Sequence, residues 1–257
     1  MIKENLQHLL TKLPSAVKLV AVSKFHPVER LMEAYDAGQR IFAESRPQEL
    51  AAKVPQMPAD IEWHFIGHLQ TNKLKLVLPH VTLVQSVDSF HLLEAIDKWG
   101  RDNGRTIDVL LELHLGAEET KQGFDEEELW SILQAEVGVC PETCGHPRPH
   151  TREGPIACDG RGRSVAEAVS GQIPTSDHCY RIRGLMGMAT NTEDEAVIEA
   201  DFKRIEGLFR RIREEFPGLR ETFTELSIGM SQDWPLAVRH GATMVRIGTD
   251  IFGPREY

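Results

Sequence analysis

The sequence predicts an α/β protein that folds as a single (β/α)8 TIM barrel, and three observations support this fold class. Short apolar runs alternate with helix-period segments along most of the 257 residues, which is the pattern of repeated βα units. Eight strand candidates with seven helix candidates between them are present, as a closed barrel requires. The alternative, an open doubly wound sheet, is disfavoured because no G-x-G-x-x-G follows the first strand.

The predicted elements follow one another in a regular order. An amphipathic helix pattern, "MIKENLQHLLTKLP", comes first. The strand candidates are 18–24, 40–45, 62–68, 82–88, 108–115, 181–189, 222–230 and 243–252. The helix candidates between them are 27–37, 46–54, 71–79, 90–103, 125–136, 194–216 and 233–240. Ser89 and Thr192 supply helix-start chemistry, and Gly38 and Gly241 stand at positions that end helices.

Residues 137–179 interrupt this order between the fifth of these helices and the sixth strand. The segment is rich in Gly, Pro, Arg and His and has little apolar periodicity. Because a connection of this kind usually has two to six residues, we expect a flexible, irregular insertion within one domain, 1–257. A zinc site is the alternative, with candidate ligands Cys140, Cys144, Cys158, Cys179, His146, His150 and His178. The irregular spacing lacks paired C-x2-C knuckles, so the sequence favours a surface loop and no metal.

Composition and charge restrict the classes of partner. The formal net charge of −10 argues against a general binder of nucleic acid or of anionic membranes, although a local basic pocket for a small anion remains compatible with it. No apolar run approaches the ~20 residues that span a bilayer, and the first residues lack a signal-peptide core. The cysteines are confined to one stretch instead of spread through the core, which favours a reducing compartment. We therefore expect a cytoplasmic protein.

Polar residues and glycines cluster where the predicted strands end. In a (β/α)8 barrel the active face lies at the carboxyl ends of the strands. The residues at or just beyond those ends are Lys24, Ser45, His68, Asn72, Met188, Ser227, Ser231, Arg246, Gly248 and Thr249. The clusters "SIGMS" (227–231) and "RIGT" (246–249) combine glycines with hydroxyls after strands 7 and 8. This is the usual phosphate site of the fold, so the sequence predicts that a phosphate group binds there.

Lys24 ends the first apolar strand, and two interpretations fit its position. An amine held among apolar residues is kept neutral and nucleophilic by desolvation, and such an amine forms a Schiff base with an aldehyde. Pyridoxal phosphate (PLP) carries both an aldehyde and a phosphate. The alternative is a lysine whose ammonium reaches the surface or forms a salt bridge. Spacing alone leaves these two interpretations equal.

Six motifs in order resemble the pyridoxal phosphate homeostasis protein family. They are "AVSKFHP" (21–27), "WHFIGHLQTNK" (63–73), "KQGF" (121–124), "RGLMGMAT" (183–190), "LSIGMSQDW" (226–234) and "MVRIGTDIFGPREY" (244–257). The resemblance covers essentially the whole chain except 137–179. It implies a single barrel of the type found in the N-terminal domain of alanine racemase, with PLP as its cofactor.

The resemblance also implies roles for individual residues. The family's cofactor lysine maps onto Lys24, and its phosphate contacts map onto Ser231, Gly248 and Thr249. Ser227 and Met230 would line the cofactor, and Arg246 would face the pyridine nitrogen. Asn72 matches the family, whereas Ser45 stands for an asparagine in the segment Ala43-Glu44-Ser45-Arg46, and His68 stands where many members have proline. These last positions are carried over more weakly.

The presence of Arg246 favours a protein that binds the cofactor over an enzyme that uses it in catalysis. A guanidinium stays protonated, so the pyridine nitrogen opposite it remains unprotonated and the cofactor is a poor electron sink. Racemases with this arrangement add a tyrosine base from a second domain, which we do not expect here. The predicted function is PLP binding through a Schiff base on Lys24, for buffering and for delivery to PLP-dependent apo-enzymes, by a monomer without evident turnover. The alternative is a PLP-dependent amino-acid racemase, and a Schiff-base aldolase would rest on fold analogy alone.

Overall fold

The structure is a computed structural model that describes residues 1–115, 123–136 and 178–254. Eight parallel strands close into a barrel in the order β1 to β8. The strands are β1 Lys18–Val22, β2 Ile41–Glu44, β3 Glu62–Phe65, β4 Leu83–Val87, β5 Ile107–Leu113, β6 Tyr180–Gly187, β7 Glu225–Met230 and β8 Met244–Ile247. The predicted (β/α)8 barrel is confirmed.

The helices surround this barrel. They are α1 Ile2–Lys12, α2 Val28–Asp36, α3 Pro47–Lys53, α4 Leu74–Val77, α5 Phe90–Asn103, α6 Glu126–Glu136, α7 Glu195–Glu215, α8 Trp234–Arg239 and α9 Thr249–Phe252. Ser89 caps α5 by accepting a hydrogen bond from the Leu92 N–H, as the sequence predicts. The cap of α7 is Asp194 rather than Thr192, whose hydroxyl instead accepts from the Asp194 N–H. Gly38 and Gly241 have φ angles of 105° and 76°, which suit glycine after a helix.

Two apolar clusters bury the two faces of the strands. The larger lies between the barrel and the helices and includes Leu19 and Ala21 of β1. The smaller fills the barrel interior with Val20, Ala43, Leu83, Leu110, Met186 and Met244. Because side chains alternate between the faces of a strand, Glu112 and Arg246 also face the interior, two residues nearer the carboxyl ends. The interior is therefore packed in its middle and polar towards that mouth.

The predicted ends of several elements differ from those observed; strand 1 was expected to end at Lys24, for example, but β1 ends at Val22. Strand 8 was expected to reach 252, but β8 stops at Ile247 and residues Thr249–Phe252 form the helical turn α9. The neighbouring strand β1 pairs with β8 only as far as Ala21, which lies opposite Ile247. The backbone of residues 249–252 therefore forms its hydrogen bonds within the helical turn α9. Strand 7 begins at Glu225 rather than 222. The helix expected over 71–79 is a 3-10 turn, Thr71–Lys73, followed by α4.

The interruption predicted at 137–179 lies outside the described residues except for its last two. His178 stacks on Tyr180 with ring centroids 4.8 Å apart, and the Cys179 N–H donates to Asp97 of α5 at 2.6 Å. Within the described ranges, no three His, Cys, Asp or Glu side chains are grouped as metal ligands. A search of the same residues finds no helix long and apolar enough to cross a membrane.

Candidate functional site

Lys24 lies in the turn that follows β1, two residues beyond the end of the strand. Lys24 is partly exposed, whereas Ser23 before it is completely buried. Phe25 after it has a φ of 69°, the one positive φ among the non-glycine residues that the structure describes. This conformation is unfavourable for a bulky side chain and is kept only where surrounding contacts enforce it. The turn thus places Lys24 at the carboxyl end of β1, at the mouth of the barrel.

The backbone on both sides of Lys24 is bonded to the β2–α3 segment. The Ser23 hydroxyl donates to Glu44 Oε1 at 2.7 Å, and the Ser23 carbonyl accepts from Lys53 Nζ at 2.9 Å. The Phe25 N–H donates to Glu49 Oε2 at 3.0 Å. The residues flanking Lys24 are consequently fixed by three side chains of one neighbouring βα unit.

Arg246 is buried inside the barrel at 4% exposure. Its Nη1 donates to the Ser227 carbonyl and hydroxyl, both at 2.7 Å, and its Nη2 donates to the Gly187 carbonyl at 2.9 Å. Burial lowers the pKa of the guanidinium to about 10, although the carboxyls of Glu112 and Asp233 oppose this. Arg246 therefore remains a cation at neutral pH, as the sequence predicts.

A buried chain of hydrogen bonds continues from Arg246 towards the amino end of the barrel. The Ser227 hydroxyl donates to Gln85 Oε1 at 2.7 Å, and Gln85 Nε2 donates to His64 Nδ1 at 2.8 Å. Burial and the charge of Lys18 lower the pKa of His64 to about 3, so the ring is neutral and carries its proton on Nε2. His64 is thus a hydrogen-bonded barrel residue. Ser227, expected to line the cofactor, is completely buried and orients Arg246.

Glu112 is an acidic residue in the same polar layer, 6% exposed. Burial raises the pKa of its carboxyl to about 7; Arg246 lowers it and Asp88 raises it further. The mouth consequently contains a carboxyl that changes charge near neutral pH, a range suited to proton transfer.

The loops after β7 and β8 bring hydroxyls and glycines to the mouth. Ser231 is half-buried and follows Met230, which is 40% exposed and whose N–H donates to Asp233 at 2.5 Å. Gly229 has a φ of 91°, and a Cβ there would lie 2.6 Å from the Ala237 side chain. A larger residue would therefore displace this loop.

On the β8 side, Gly248 is half-buried and Thr249 is exposed at the start of α9. The first N–H groups of a helical turn lack acceptors within it, so this loop offers backbone donors beside the Thr249 hydroxyl. In the closed barrel β8 pairs with both β7 and β1. Ser231, Thr249 and Lys24 thus lie just beyond the ends of three consecutive strands, β7, β8 and β1.

Three of the remaining predicted residues follow β2 and β3, which come next to β1 in the barrel. Ser45 is half-buried after β2 and packs against Gly67, where a Cβ would overlap the Ser45 carbonyl oxygen. His68 is exposed and contacts Asp88 at 2.9 Å. Asn72 is exposed in the 3-10 turn. A cleft of about 660 Å³ adjoins the mouth between Met188, just after β6, and Met230, the last residue of β7.

Sequence reasoning missed Glu112, Gln85 and Lys53. Glu112 interrupts the apolar run "DVLLELHL", and a charged residue inside a buried strand is a usable signal. Gln85 in "TLVQSVD" carries a weaker form of the same signal. Lys53 ends an ordinary amphipathic helix, and nothing in its local sequence indicates burial.

Three comparisons place the chain among known proteins. A family model described as "Alanine racemase, N-terminal domain" matches residues 1–143. A pyridoxal phosphate homeostasis protein of Pasteurella multocida is 32% identical over 262 residues, covering 100% of this chain and 95% of that relative. Structures of PipY from Synechococcus elongatus PCC7942, without and with PLP bound, are 34% identical, cover 98% of this chain and 100% of PipY, and give TM-scores of 0.78 and 0.77.

The fold is a (β/α)8 barrel whose predicted ligand-facing residues lie just beyond the ends of strands β7, β8 and β1. An alanine racemase of Clostridium difficile shares this fold, with a TM-score of 0.65 at 11% identity over 97% of this chain and 56% of the racemase. The chain belongs to the alanine racemase N-terminal domain family and, within it, to the pyridoxal phosphate homeostasis proteins.

Proposed function

We propose that the protein binds PLP at the carboxyl mouth of the barrel and holds it through a Schiff base with Lys24. The observation that carries this proposal is the placement of a lysine, a hydroxyl-bearing loop and a glycine-hydroxyl loop at the ends of three consecutive strands. The name of the Pasteurella relative and the PLP-bound PipY structure support it.

The donor set of the mouth fits each part of this cofactor. Ser231 and Thr249 supply hydroxyls, and the backbone at Gly248 and Thr249 supplies N–H groups, for the phosphate. Arg246 supplies a cation in the polar layer below, suited to a neutral pyridine nitrogen. Met230 and Ser45 border the mouth, with Asn72 further out on the β3 side. Bound PLP would contribute its aldehyde as the electrophile for the Lys24 amine.

A role in PLP homeostasis is consistent with Arg246. Because the guanidinium does not deliver a proton to the ring, carbanion chemistry gains little stabilisation. We therefore propose a cytoplasmic, monomeric, single-domain holder of PLP, 1–257, that buffers the cofactor and delivers it to apo-enzymes without catalytic turnover. The relatives are named as homeostasis proteins rather than enzymes.

The visible spectrum of the protein with added PLP tests this function. We expect the wild-type protein to show an absorbance band at a longer wavelength than the band of free PLP, and Lys24→Ala to lack this band. Lys203→Ala, which removes an exposed lysine on α7 that pairs with Glu199, is the matched control and should retain the band. A wild-type protein without the band, or a Lys24→Ala protein with it, would contradict the proposal.

One observation favours the racemase as a second candidate function. Glu112 supplies a titratable carboxyl in the mouth, and a racemase requires acid–base groups of this kind. Incubation of the PLP-loaded protein with L-alanine in deuterated water distinguishes the two functions. Holding alone predicts no sustained α-proton exchange, whereas turnover that disappears in Glu112→Gln would establish the racemase.

A further inference from the structure

We propose that Lys53, acting with Glu44 and Glu49, is a positioning residue that fixes the turn carrying Lys24 in the geometry needed to capture an aldehyde. The inference rests on the proposed function, because it concerns how Lys24 reaches PLP. It assigns a role to three residues that lie behind the turn, on β2 and α3.

The ammonium of Lys53 is the centre of the cluster. Its Nζ donates to Glu44 Oε1 at 2.7 Å, to Glu49 Oε2 at 3.2 Å and to the Ser23 carbonyl at 2.9 Å. One cation thereby joins both carboxylates to the backbone immediately before Lys24. The same two carboxylates reach the turn directly, through the Ser23 hydroxyl and the Phe25 N–H.

Burying the charged groups of this cluster costs free energy, so stability of the fold alone does not explain their presence. Glu44 is completely buried and Lys53 is 7% exposed, and one Glu44 oxygen, Oε2, has no hydrogen-bond partner within the described part of the chain. Burial raises the pKa of Glu44, although Lys53 and Ser23 counteract it. Desolvating such a group costs free energy that attraction within the cluster only partly offsets, so apolar residues of similar size would serve the fold equally well.

The backbone of the turn shows what the cluster accomplishes. Phe25 keeps its positive φ while its N–H is held by Glu49. Partial burial opposes ionisation of Glu49, but the Phe25 N–H and Lys53 lower the pKa of its carboxyl below the usual value. Glu49 therefore stays an anion and a strong acceptor at neutral pH. With Ser23 and Phe25 both fixed, the Lys24 main chain is fixed between them.

Positioning of this kind affects the covalent step more than the binding of the rest of the ligand. The amine nitrogen adds to the aldehyde carbon, and the carbonyl oxygen then leaves as water with the two amine hydrogens as the C=N bond forms. The addition requires the two reacting atoms to approach within about 3–3.5 Å in the right direction, and a displacement of about 1 Å slows it by roughly a hundredfold. The phosphate loops after β7 and β8 do not contact the cluster through any of its hydrogen bonds described above. Two probes therefore separate the effects: PLP, and pyridoxine 5′-phosphate, which has the ring and the phosphate but no aldehyde.

The test compares variants of Glu49, which is partly exposed. Glu49→Ala removes the acceptor of the Phe25 N–H, whereas Glu49→Gln keeps an acceptor oxygen. We expect Glu49→Ala to slow the growth of the visible PLP band about tenfold and Glu49→Gln to slow it about twofold or less. The dissociation constant of pyridoxine 5′-phosphate should change about twofold or less in both.

A double variant tests Lys53 without leaving the completely buried Glu44 carboxylate unpaired. Glu44→Gln/Lys53→Met removes both buried charges together and should slow capture of PLP by roughly a hundredfold. Lys18→Met is the matched control, because it breaks the ion pair with the buried Glu225 at the amino end, and should leave the capture rate within about twofold. Circular dichroism establishes that each variant is folded.

The outcomes distinguish this inference from the proposed function. Unchanged capture rates in Glu49→Ala and in the double variant would overturn the inference alone. An equal weakening of pyridoxine 5′-phosphate would also overturn it, since the cluster would then support the whole pocket. A wild-type protein that captures no PLP would overturn the proposed function and, with it, the inference.

Discussion

Charged side chains have different partners at the two ends of the barrel interior. At the amino end, Lys18 lies 2.5 Å from Glu225 and Arg183 lies 3.8 Å from Asp108, and these pairs surround a cavity of only about 130 Å³. At the carboxyl end, the three hydrogen bonds of Arg246 go to two carbonyls and a hydroxyl. Oppositely charged side chains form ion pairs at the amino end, whereas the hydrogen bonds of the guanidinium at the carboxyl end go to uncharged acceptors.

This difference separates residues that stabilise the barrel from residues that face a ligand. In (β/α)8 barrels the amino face contributes stability and the carboxyl face carries function. Gln85, Ser227 and His64 connect the two ends through hydrogen bonds. The comparison therefore predicts that substitutions at the two ends have distinct effects on folding and on binding.

The largest expected difference is between Arg246→Gln and Lys18→Met. Arg246→Gln removes a buried cation from Glu112, and we expect a loss of about 3 kcal/mol in the free energy of unfolding together with much weaker PLP binding. Lys18→Met should destabilise the fold by about 1 kcal/mol, because the Lys18 ammonium is half-exposed and the Glu225 carboxylate keeps the hydrogen bond from the Thr243 hydroxyl, with PLP affinity unchanged. Urea unfolding and a PLP titration measure the two effects. Equal PLP affinity in both variants would remove the distinction between the ends.

Glu112→Gln tests the carboxyl end of the barrel through the pH dependence of the unfolding free energy. Because burial raises the pKa of Glu112 from 4.5 to about 7, the folded protein holds this proton more tightly than the unfolded chain. The stability that the protonated carboxyl contributes is therefore complete below about pH 4.5 and is lost as the pH rises through about 7. Relative to wild type, the unfolding free energy of Glu112→Gln should rise by up to about 3 kcal/mol between about pH 4.5 and pH 8. Parallel pH profiles of the two proteins would contradict this account.

Ser231→Ala has the smallest expected effect and concerns the phosphate loop. Loss of one hydroxyl bond to a charged oxygen should weaken PLP binding by about 1.5–3 kcal/mol. Inorganic phosphate should also compete less well with PLP in this variant, whereas an aldehyde without a phosphate should react as before. Ser131→Ala on α6 removes an exposed hydroxyl bonded to the Glu127 carbonyl and serves as the control. Undiminished competition by phosphate in Ser231→Ala would place the phosphate elsewhere.

The fold was predictable because its signals are local and repeated. Each strand is an apolar run between helix patterns, and Ser89, Gly38 and Gly241 mark helix ends as the sequence indicates. The end of β8 was missed because it depends on where its neighbour β1 stops pairing. The last strand expected, 243–252, contains apolar residues on both sides of that point.

The site was predictable in outline and not in its supporting contacts. Lys24, Ser231, Gly248 and Thr249 follow from strand ends and motif resemblance, and their roles remain predictions. The contacts of Lys53 with Ser23, and of Gln85 with His64, join residues 30 and 21 positions apart. Such pairs form only when neighbouring βα units pack against each other in the folded barrel, so no spacing rule reveals them.

Reduction of the PLP-loaded protein with borohydride, followed by mass spectrometry of its peptides, tests the central claim most directly. Reduction converts a Schiff base into a stable secondary amine and marks the lysine that carried it. The account predicts a pyridoxyl-phosphate adduct on Lys24 and none on Lys53 or Lys18. An adduct confined to any other lysine, or its absence from a protein that has bound PLP, would contradict it.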